Sequence, residues 1–166
     1  MALKEYRKKR DFSKTPEPAG ELSDSFRREI EQRLPGKVRK GGKPLYMVHD
    51  HYARQHHHDL RLEFDGALRS WAIPKLIDPA NLEAKKLAVQ TEDHPLAYGY
   101  WEGEIPEGSY GAGRVKIWDS GSFGVVDHKE GKKLVFMVKG KKLRGTFVLI
   151  HFRPGREWLF FRKKDA

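Results

Sequence analysis

The stretch HHHDLRLEFDGALRSWAI, residues 56–73, decides the fold. Polar and apolar residues alternate on both sides of Asp65-Gly66, and an Asp-Gly pair between two alternating runs is typical of a tight hairpin turn. Successive side chains of a strand point to opposite faces of a sheet. We therefore predict two antiparallel strands here, with Leu60 and Leu62 on the face that enters the core.

Most of the chain after Leu45 has the same character. Its other strand-like runs are separated by turns that contain glycine: YMVHDHYA (46–53), KLAVQTE (86–92), GRVKIWDSG (113–121), SFGVVD (122–127), KLVFMVKG (133–140), RGTFVLIHF (144–152) and REWLFFRK (156–163). Many short strands with few helices predict a mainly β protein. We expect an antiparallel β-barrel with one or two short flanking helices and an N-terminal arm, and a β-sandwich is the alternative.

The 166 residues fit one domain rather than two. We assign the β-barrel core of this domain to residues 45–164. Residues 1–22 are polar, rich in Lys, Arg, Pro and Glu, and without an apolar period, which predicts an extended arm.

Two short helices are predicted beside the barrel. Ser23 or Asp24 would cap the first, and Pro35-Gly36 would end it. Its apolar residues recur at four-residue spacing: Phe26, Ile30 and Leu34. A second helical turn is predicted to begin at Asp78-Pro79, because aspartate caps helices and proline is tolerated in the first turn.

The composition limits the chemistry of the protein. Lys and Arg number 33 against 23 Asp and Glu, which gives a formal net charge of +10, and there is no cysteine. Any metal must therefore bind to His, Asp or Glu. The positive charge favours a nucleic-acid partner, although a merely solvated basic surface has the same composition. No apolar signal core opens the chain and no run approaches about 18 apolar residues, so we expect a soluble cytoplasmic protein without a membrane partner.

Metal-capable side chains are concentrated before the hairpin turn. His57, Asp59 and Arg61 share one face of a strand, and His51 could close the group from the preceding bend. Two imidazoles and a carboxylate suit manganese, iron or zinc and leave coordination positions open, while the guanidinium could take two oxygens of a metal-held phosphate. The alternative is a solvated cluster of histidines in which Asp59 and Arg61 support cross-strand pairs.

Other candidates are isolated in the sequence. His94 and Tyr98 lie in TEDHPLAY, and beside a metal-bound phosphate they could serve as proton donor and hydrogen-bond donor. Alternatively, His94 is a turn residue and Tyr98 a core residue. Lys75 follows the end of a strand. The glycine-rich stretch 102–118 lacks Gly-Lys-Ser/Thr and leads into a strand rather than a helix, which argues against a phosphate loop.

The chain resembles the phosphoesterase domain of bacterial DNA ligase D. The resemblance lies in RDFSKTPEP, HYARQHHHDLRLEFDGALRSWAIPK, LAVQTEDHPLAY, EGEIPEGSYGAGRVKIWDSG, KGKKLRGTFVLI and EWLFFRK, and so covers nearly the whole sequence. With no ligase or polymerase module attached, it is similar to the stand-alone form of that family.

The resemblance implies a metal-dependent 3'-end-healing phosphoesterase. Such an enzyme removes 3'-terminal ribonucleosides and 3'-phosphates from DNA or RNA-tipped primer-templates with Mn²⁺, and Co²⁺ or Zn²⁺ also suit its site. The product is a 3'-OH, which a separate ligase or polymerase of the same repair pathway would use. The domain is expected to act as a monomer.

The resemblance also implies residue roles. The metal ligands would be His51, His57 and Asp59. The catalytic group would be Arg61, His94 and Tyr98. The substrate-binding and site-supporting residues would be Arg10, Asp11, Glu17, His49, Lys75 and Lys86. The arm, residues 1–22, would then close over the site.

Three positions depart from the pattern of that family. His49 stands where glutamine is usual, and it could add a metal ligand or a phosphate donor. Lys86 stands where arginine is common, so the charge is kept but bidentate geometry is lost. His58 stands where tyrosine is common, and we interpret it as a packing residue because it lies on the strand face opposite the ligands.

Two other functions fit the composition. A noncatalytic basic module that binds nucleic-acid ends would explain the charge and the barrel, but it would show no metal dependence. A general metallophosphatase for small molecules would hydrolyse nitrophenyl phosphate as readily as a primer end.

Overall fold

This computed structural model describes residues 3–19 and 43–164 of the chain. This part contains ten strands and two short helices, joined by turns and loops. The helices are α1 (Lys4–Lys8) and α2 (Leu96–Gly99). The strands are β1 (Leu45–Tyr52), β2 (His56–Phe64), β3 (Ala67–Ile73), β4 (Lys86–Gln90), β5 (His94–Pro95), β6 (Gly103–Ile105), β7 (Gly113–Lys129), β8 (Lys133–Gly140), β9 (Arg144–His151) and β10 (Glu157–Arg162). Neither helix of this described part is long and apolar enough to span a bilayer.

Eight of the strands close into an antiparallel barrel. Their order is β1-β2-β3-β4-β10-β9-β8-β7, and β7 pairs with β1 to complete the ring. The two short strands lie off the ring, β5 against β3 and β6 against β7. Closure pairs backbone groups that an open sheet would leave at its edges. The prediction of an antiparallel barrel is confirmed, and the sandwich alternative is wrong.

The hairpin that decided the fold is formed as predicted. Asp65 and Gly66 have φ angles of 51° and 80°, the left-handed conformations that a two-residue hairpin turn requires. The register pairs Phe64 with Ala67 and continues to the end of β3.

Alternation along β1 and β2 decides what faces the interior. Tyr46 and Val48 belong to the main core inside the barrel, whereas Leu45 and Met47 belong to a second apolar cluster on the outer wall. Because alternate residues share a face, the following odd-numbered polar residues also point outward. These residues are His49, His51, His57, Asp59 and Arg61.

The stretches GRVKIWDSG and SFGVVD, predicted as two strands, form the single strand β7. Gly121 lies within this strand and does not form a turn. A Cβ atom at Gly121 would collide with the backbone of Lys139 on β8, so the glycine permits a close approach of two strands. The sequence pattern could not distinguish this requirement from a turn.

The predictions for the short helices and the arm agree less well with the structure. Asp78 forms a turn in which its carboxylate accepts a hydrogen bond from the Ala80 amide over 2.9 Å, and no helix follows, so that prediction is wrong. The helix predicted from Ser23 or Asp24 lies outside the described residues. The arm is not wholly extended, because α1 forms within it and buries Tyr6 completely.

Candidate active site

Strands β1 and β2 bring His51, His57 and Asp59 together on the outer wall. The register pairs His51 with His57, and Asp59 follows two residues later along β2. Nδ1 of His51 lies 3.3 Å from Oδ2 of Asp59, and Nε2 of His57 lies 3.2 Å from Oδ1. One ligand atom from each side chain lies within 4.8 Å of the other two. Within residues 3–19 and 43–164, no other such group of three His, Asp or Glu side chains is found.

Backbone carbonyls decide which nitrogen of each ring faces the cluster. Nε2 of His51 donates to the Gly111 carbonyl over 2.7 Å, and Nδ1 of His57 donates to the Gln55 carbonyl over 3.0 Å. The opposite nitrogen of each ring then faces Asp59, where it can either donate a proton to the carboxylate or offer a lone pair to a cation. The two imidazoles and the carboxylate therefore converge on one point, at which a metal ion could take the place of those protons.

The electrostatics of the cluster favour a cation. Burial alone would raise the pKa of Asp59, but hydrogen bonds from His51 and His57 and the charge of Arg61 hold it well below its usual value. Burial acts to lower the pKa of His57, but its hydrogen bond to Asp59 and the charge of that carboxylate raise it overall. The cluster could therefore hold a divalent metal, which would compete with protons for the imidazole nitrogens.

Arg61 is held rigidly beside the cluster. Its guanidinium donates to Nδ1 of His49 over 3.0 Å, to Oγ of Ser70 over 2.9 Å and to Oδ2 of Asp59 over 3.3 Å. The ring of Tyr98 lies 4.6 Å from its central carbon. A guanidinium fixed on several sides is oriented before any anion arrives.

His49 supports Arg61 and does not belong to the cluster of His51, His57 and Asp59. It is fully buried, and its Nε2 donates to the Trp101 carbonyl over 3.1 Å while its Nδ1 accepts from Arg61. Burial and the positive charge of Arg61 lower its pKa to about 3, so the ring is neutral. Both ring nitrogens are occupied, and neither is directed at His51, His57 or Asp59.

His94 is also buried and neutral. Its Nδ1 donates to the Glu92 carbonyl over 2.9 Å, and Nη2 of Arg10 approaches its Nε2 at 3.5 Å. Burial and the charges of Arg61 and Arg10 lower its pKa well below the usual value. The edge of the Tyr98 ring packs against it at 4.6 Å between centroids. The unprotonated Nε2 therefore lies among cationic groups, where an anion would be attracted.

The outer wall, the arm and α2 enclose a cavity of about 230 Å³ beside the cluster. The arm contributes Arg10, whose Nε donates to Glu17 over 2.9 Å and whose central carbon lies 4.0 Å from the Tyr6 ring. The cavity is lined by residues of all these elements: Arg10, His51, His57, Asp59, Arg61, His94, Tyr98 and Tyr110.

Comparison with known proteins identifies the family. Residues 49–151 match the family model described as the DNA Ligase D 3'-phosphoesterase domain. The chain belongs to this family. The resemblance inferred from the sequence is thus confirmed.

Relatives with this domain are multifunctional proteins. The chain is 43% identical to the multifunctional non-homologous end joining protein LigD of Pseudomonas aeruginosa over 173 residues, covering 99% of the chain and 19% of that protein. It is 40% identical to the multifunctional non-homologous end joining DNA repair protein LigD of Mycobacterium tuberculosis, with coverages of 98% and 20%. The LigD protein of Mycolicibacterium smegmatis is 38% identical, with coverages of 98% and 21%. The chain thus spans about a fifth of the length of these curated relatives.

Membership of the DNA ligase D 3'-phosphoesterase family supports a role in processing DNA ends during repair. It also supports hydrolytic chemistry on a phosphoester. The cluster of His51, His57 and Asp59 could hold a metal ion for such chemistry, since its donor set suits a divalent transition metal.

Not all the residues singled out by the family resemblance meet at the cavity. Asp11 is exposed and accepts hydrogen bonds from the amide and hydroxyl of Ser13, which stabilises a turn of the arm. Lys75 is exposed after β3, and Lys86 is half-buried on β4 opposite Phe160. None of these three charged side chains lines the cavity.

Sequence analysis missed four residues that line the cavity or contact its lining residues: Tyr6, Ser70, Glu92 and Tyr110. Tyr6 lies four residues before Arg10, a helical spacing that could have placed both on one face. Glu92 lies two residues before His94, and this buried carboxylate pairs with Lys9 over 3.3 Å. Nothing in the sequence pointed to Ser70.

His58 lies on the opposite face of β2 from His57 and Asp59. It is buried, its Nδ1 accepts from the Ile77 amide over 2.9 Å, and its Nε2 contacts Asp50 over 2.9 Å. Its ring packs against Trp118 with centroids 4.6 Å apart. These contacts agree with a packing role inside the barrel.

Proposed function

We propose that this domain is a metal-dependent 3'-end-healing phosphoesterase. It removes 3'-phosphates and 3'-terminal ribonucleosides from DNA or RNA-tipped primer-templates and leaves a 3'-OH. One observation carries the proposal: the ligand set of His51, His57 and Asp59 shares a small cavity with the fixed guanidinium of Arg61 and the imidazole of His94. That combination suits a phosphate held by a metal and by two cationic or polar groups.

His51, His57 and Asp59 would hold the metal, for which we propose Mn²⁺, with Co²⁺ or Zn²⁺ as alternatives. When bound, such an ion supplies a Lewis acid that polarises a phosphoryl oxygen. Arg61 stabilises the negative charge that develops on the phosphoryl oxygens. Its hydrogen bonds to His49 and Ser70 hold the guanidinium in this orientation.

His94 is the proposed proton donor to the leaving oxygen. In the structure it is neutral because burial and two arginines lower its pKa. A bound phosphate carries negative charge into the same cavity and raises that pKa, which favours the protonated ring. Tyr98, whose pKa burial raises well above its usual value, keeps its proton and serves as a hydrogen-bond donor.

The arm, residues 1–22, is proposed to close over the site. The packing of Tyr6 against His94, with centroids 5.1 Å apart, supports this proposal. The pairing of Arg10 with Glu17, which also accepts from Thr15 over 2.9 Å, holds the guanidinium in place at the cavity.

The nucleic acid would lie on the basic outer surface and bind through its phosphates. Lys75 and Lys86 are proposed to contact phosphates away from the 3' end, and Asp11 to stabilise the arm. We further propose that residues 1–166 form a single domain. It would act as a soluble cytoplasmic monomer. Its product would pass to a separate ligase or polymerase.

A direct test uses an end-labelled primer with a 3'-phosphate and Mn²⁺. The variants His57→Ala and Asp59→Ala should lose phosphate release but keep duplex affinity, since they change no basic surface residue. His128→Ala is a matched control, because this exposed histidine lies outside the cavity. Unchanged turnover in both site variants would overturn the metal assignment.

The same assay separates the alternatives. A noncatalytic end-binding module would yield no product with any divalent ion. A general metallophosphatase would hydrolyse nitrophenyl phosphate with a kcat/KM similar to that for the primer end.

A further inference from the structure

Tyr110 stands at the mouth of the cavity. It belongs to the loop between β6 and β7 and lines the cavity, yet 48% of its surface is exposed. The loop is held by a hydrogen bond from the Ser109 amide to the Pro106 carbonyl over 3.1 Å. The next residue, Gly111, accepts a hydrogen bond from His51 over 2.7 Å. The backbone that carries the ring is therefore held beside the cluster of His51, His57 and Asp59.

Two cationic side chains lie over this ring and cover part of it, while 48% of the residue stays exposed. The central carbon of Arg10 lies 5.3 Å from the Tyr110 centroid and 4.0 Å from that of Tyr6, and Nζ of Lys9 lies 4.8 Å from the Tyr110 centroid. These contacts position the ring without burying it. A large aromatic surface that stays open beside a phosphate-sized cavity is suited to stack on a flat ligand.

The size of the cavity indicates which part of a substrate reaches the ring. Its volume of about 230 Å³ is smaller than the roughly 300–1,000 Å³ of pockets that enclose a whole drug-sized ligand. A phosphate at the metal cluster therefore fits inside, and an attached nucleoside must extend to the mouth. There it meets Tyr110.

A single nucleoside leaves from one side of the scissile phosphate, and the primer strand continues from the other, so the two sides need different amounts of space. On the arm side, Lys9 and Arg10 lie over the ring of Tyr110 at the mouth. A second cavity of about 740 Å³ adjoins the first, and none of the described residues that line it belongs to the arm. The primer strand is assigned to that cavity, and the departing nucleoside to the mouth beside Tyr110.

We infer that Tyr110 forms a stacking subsite for the base of the departing 3'-terminal ribonucleoside. This inference rests on the proposed function and extends it. Every base has an aromatic face, so the subsite accepts any of the four bases and binds an abasic sugar more weakly. The specificity of the diesterase step then comes from the presence of a base rather than from its identity.

The experiment compares two primers that differ only at the tip: one ends in a ribonucleoside, the other in an abasic ribose. The wild-type domain with Mn²⁺ should cleave the first with a KM about tenfold lower, as expected for a single stacked base. Tyr110→Ala should abolish that preference, and Tyr110→Phe should restore it because the ring is kept. Phe152→Ala, which removes an exposed ring outside the cavity, should keep the preference.

Two outcomes would overturn this inference but leave the proposed function standing. Tyr110→Ala could retain the wild-type preference, or it could slow both primers by the same factor, which is the result expected if the ring only latches the arm through Lys9 and Arg10. A wild-type domain that cleaves neither primer and releases no 3'-phosphate would instead overturn the proposed function, and the inference with it.

Discussion

Nε of Arg61 donates a hydrogen bond to Nδ1 of His49 over 3.0 Å, and the two side chains are 3% and 0% exposed. The contact requires a neutral imidazole, because His49 already uses its other nitrogen to donate to Trp101. Burial and Arg61 itself lower the pKa of His49 to about 3 and so keep it neutral. The orientation of the guanidinium in the site is thus set by a histidine that lies outside the cluster of His51, His57 and Asp59.

Replacement of His49 tests this arrangement. His49→Leu leaves the buried Nε of Arg61 and the Trp101 carbonyl without partners, which should cost about 1–3 kcal/mol of unfolding free energy. It should also lower kcat for 3'-phosphate release by up to about 100-fold, since a shift of about 1 Å in a positioned group can have that effect. His49→Gln offers both an acceptor and a donor and should recover most of both losses. A leucine variant with wild-type kcat would contradict the positioning role.

Metal binding should stabilise the fold. At a Mn²⁺ concentration about 100 times Kd, one site contributes about 2.7 kcal/mol. For a chain of this size, that free energy corresponds to a rise in Tm of roughly 5–10 °C. The rise should be absent in Asp59→Asn, measured by differential scanning calorimetry, and present in the exposed control Asp127→Asn. An equal rise in both variants would place the ion elsewhere.

The metal effect should depend on pH with a defined sign. The pKa of His57 is raised in the folded protein, so without metal its pair with Asp59 stabilises fully below the unfolded pKa and loses that effect as pH rises through the folded value. Metal binding needs the neutral ring and should therefore strengthen as pH rises through the same value. Isothermal titration with Mn²⁺ from pH 5.5 to 8 should show increasing affinity and proton release. An affinity that is flat over this range would contradict the assignment of His57 as a ligand.

Asp119 is expected to be a determinant of stability rather than of activity. This fully buried carboxylate accepts hydrogen bonds from Tyr46 Oη (2.9 Å) and from three backbone amides, those of Lys141 (2.9 Å), Lys142 (3.1 Å) and Leu143 (3.0 Å). Asp119→Ala should lower the unfolding free energy by about 3–5 kcal/mol, because a buried network loses its acceptor. Urea unfolding measures the loss.

Asp127→Ala is the matched control for that change, since this exposed carboxylate of the same strand pairs with Lys133 over 3.2 Å at the surface. It should leave the urea midpoint nearly unchanged. A loss in Asp119→Ala no greater than in this control would show that the turn at 141–143 does not depend on the carboxylate.

The arm should contribute to catalysis. Deletion of residues 1–18 removes Arg10 and the Tyr6 ring that packs on His94, so kcat/KM for 3'-phosphate release should fall at least tenfold. Arg10→Ala should reproduce most of the loss, whereas Lys8→Ala, on the exposed side of α1, should not. Equal rates in the deleted and full-length proteins would show that the arm does not complete the site.

Part of the fold and of the site could be derived from the chain alone. Alternation around Asp65-Gly66 gave the hairpin, and the same alternation put His57, Asp59 and Arg61 on one face. These inferences succeed because the two-residue period of a strand is a local property of the backbone. A close approach of two distant strands is not local, and Gly121 was therefore mistaken for a turn.

The sequence by itself determined a β-rich chain, the turn that begins the barrel and the shared face of the metal-capable residues. Only the tertiary structure decided that the barrel closes and that His49 orients Arg61. It also decided that Tyr6 packs against His94 and that Tyr110 lines the cavity. A sequence period shows which way a side chain points but not what packs against it. Here the partners come from segments far apart in the chain, such as Arg10 and His94, and only the folded structure brings them together.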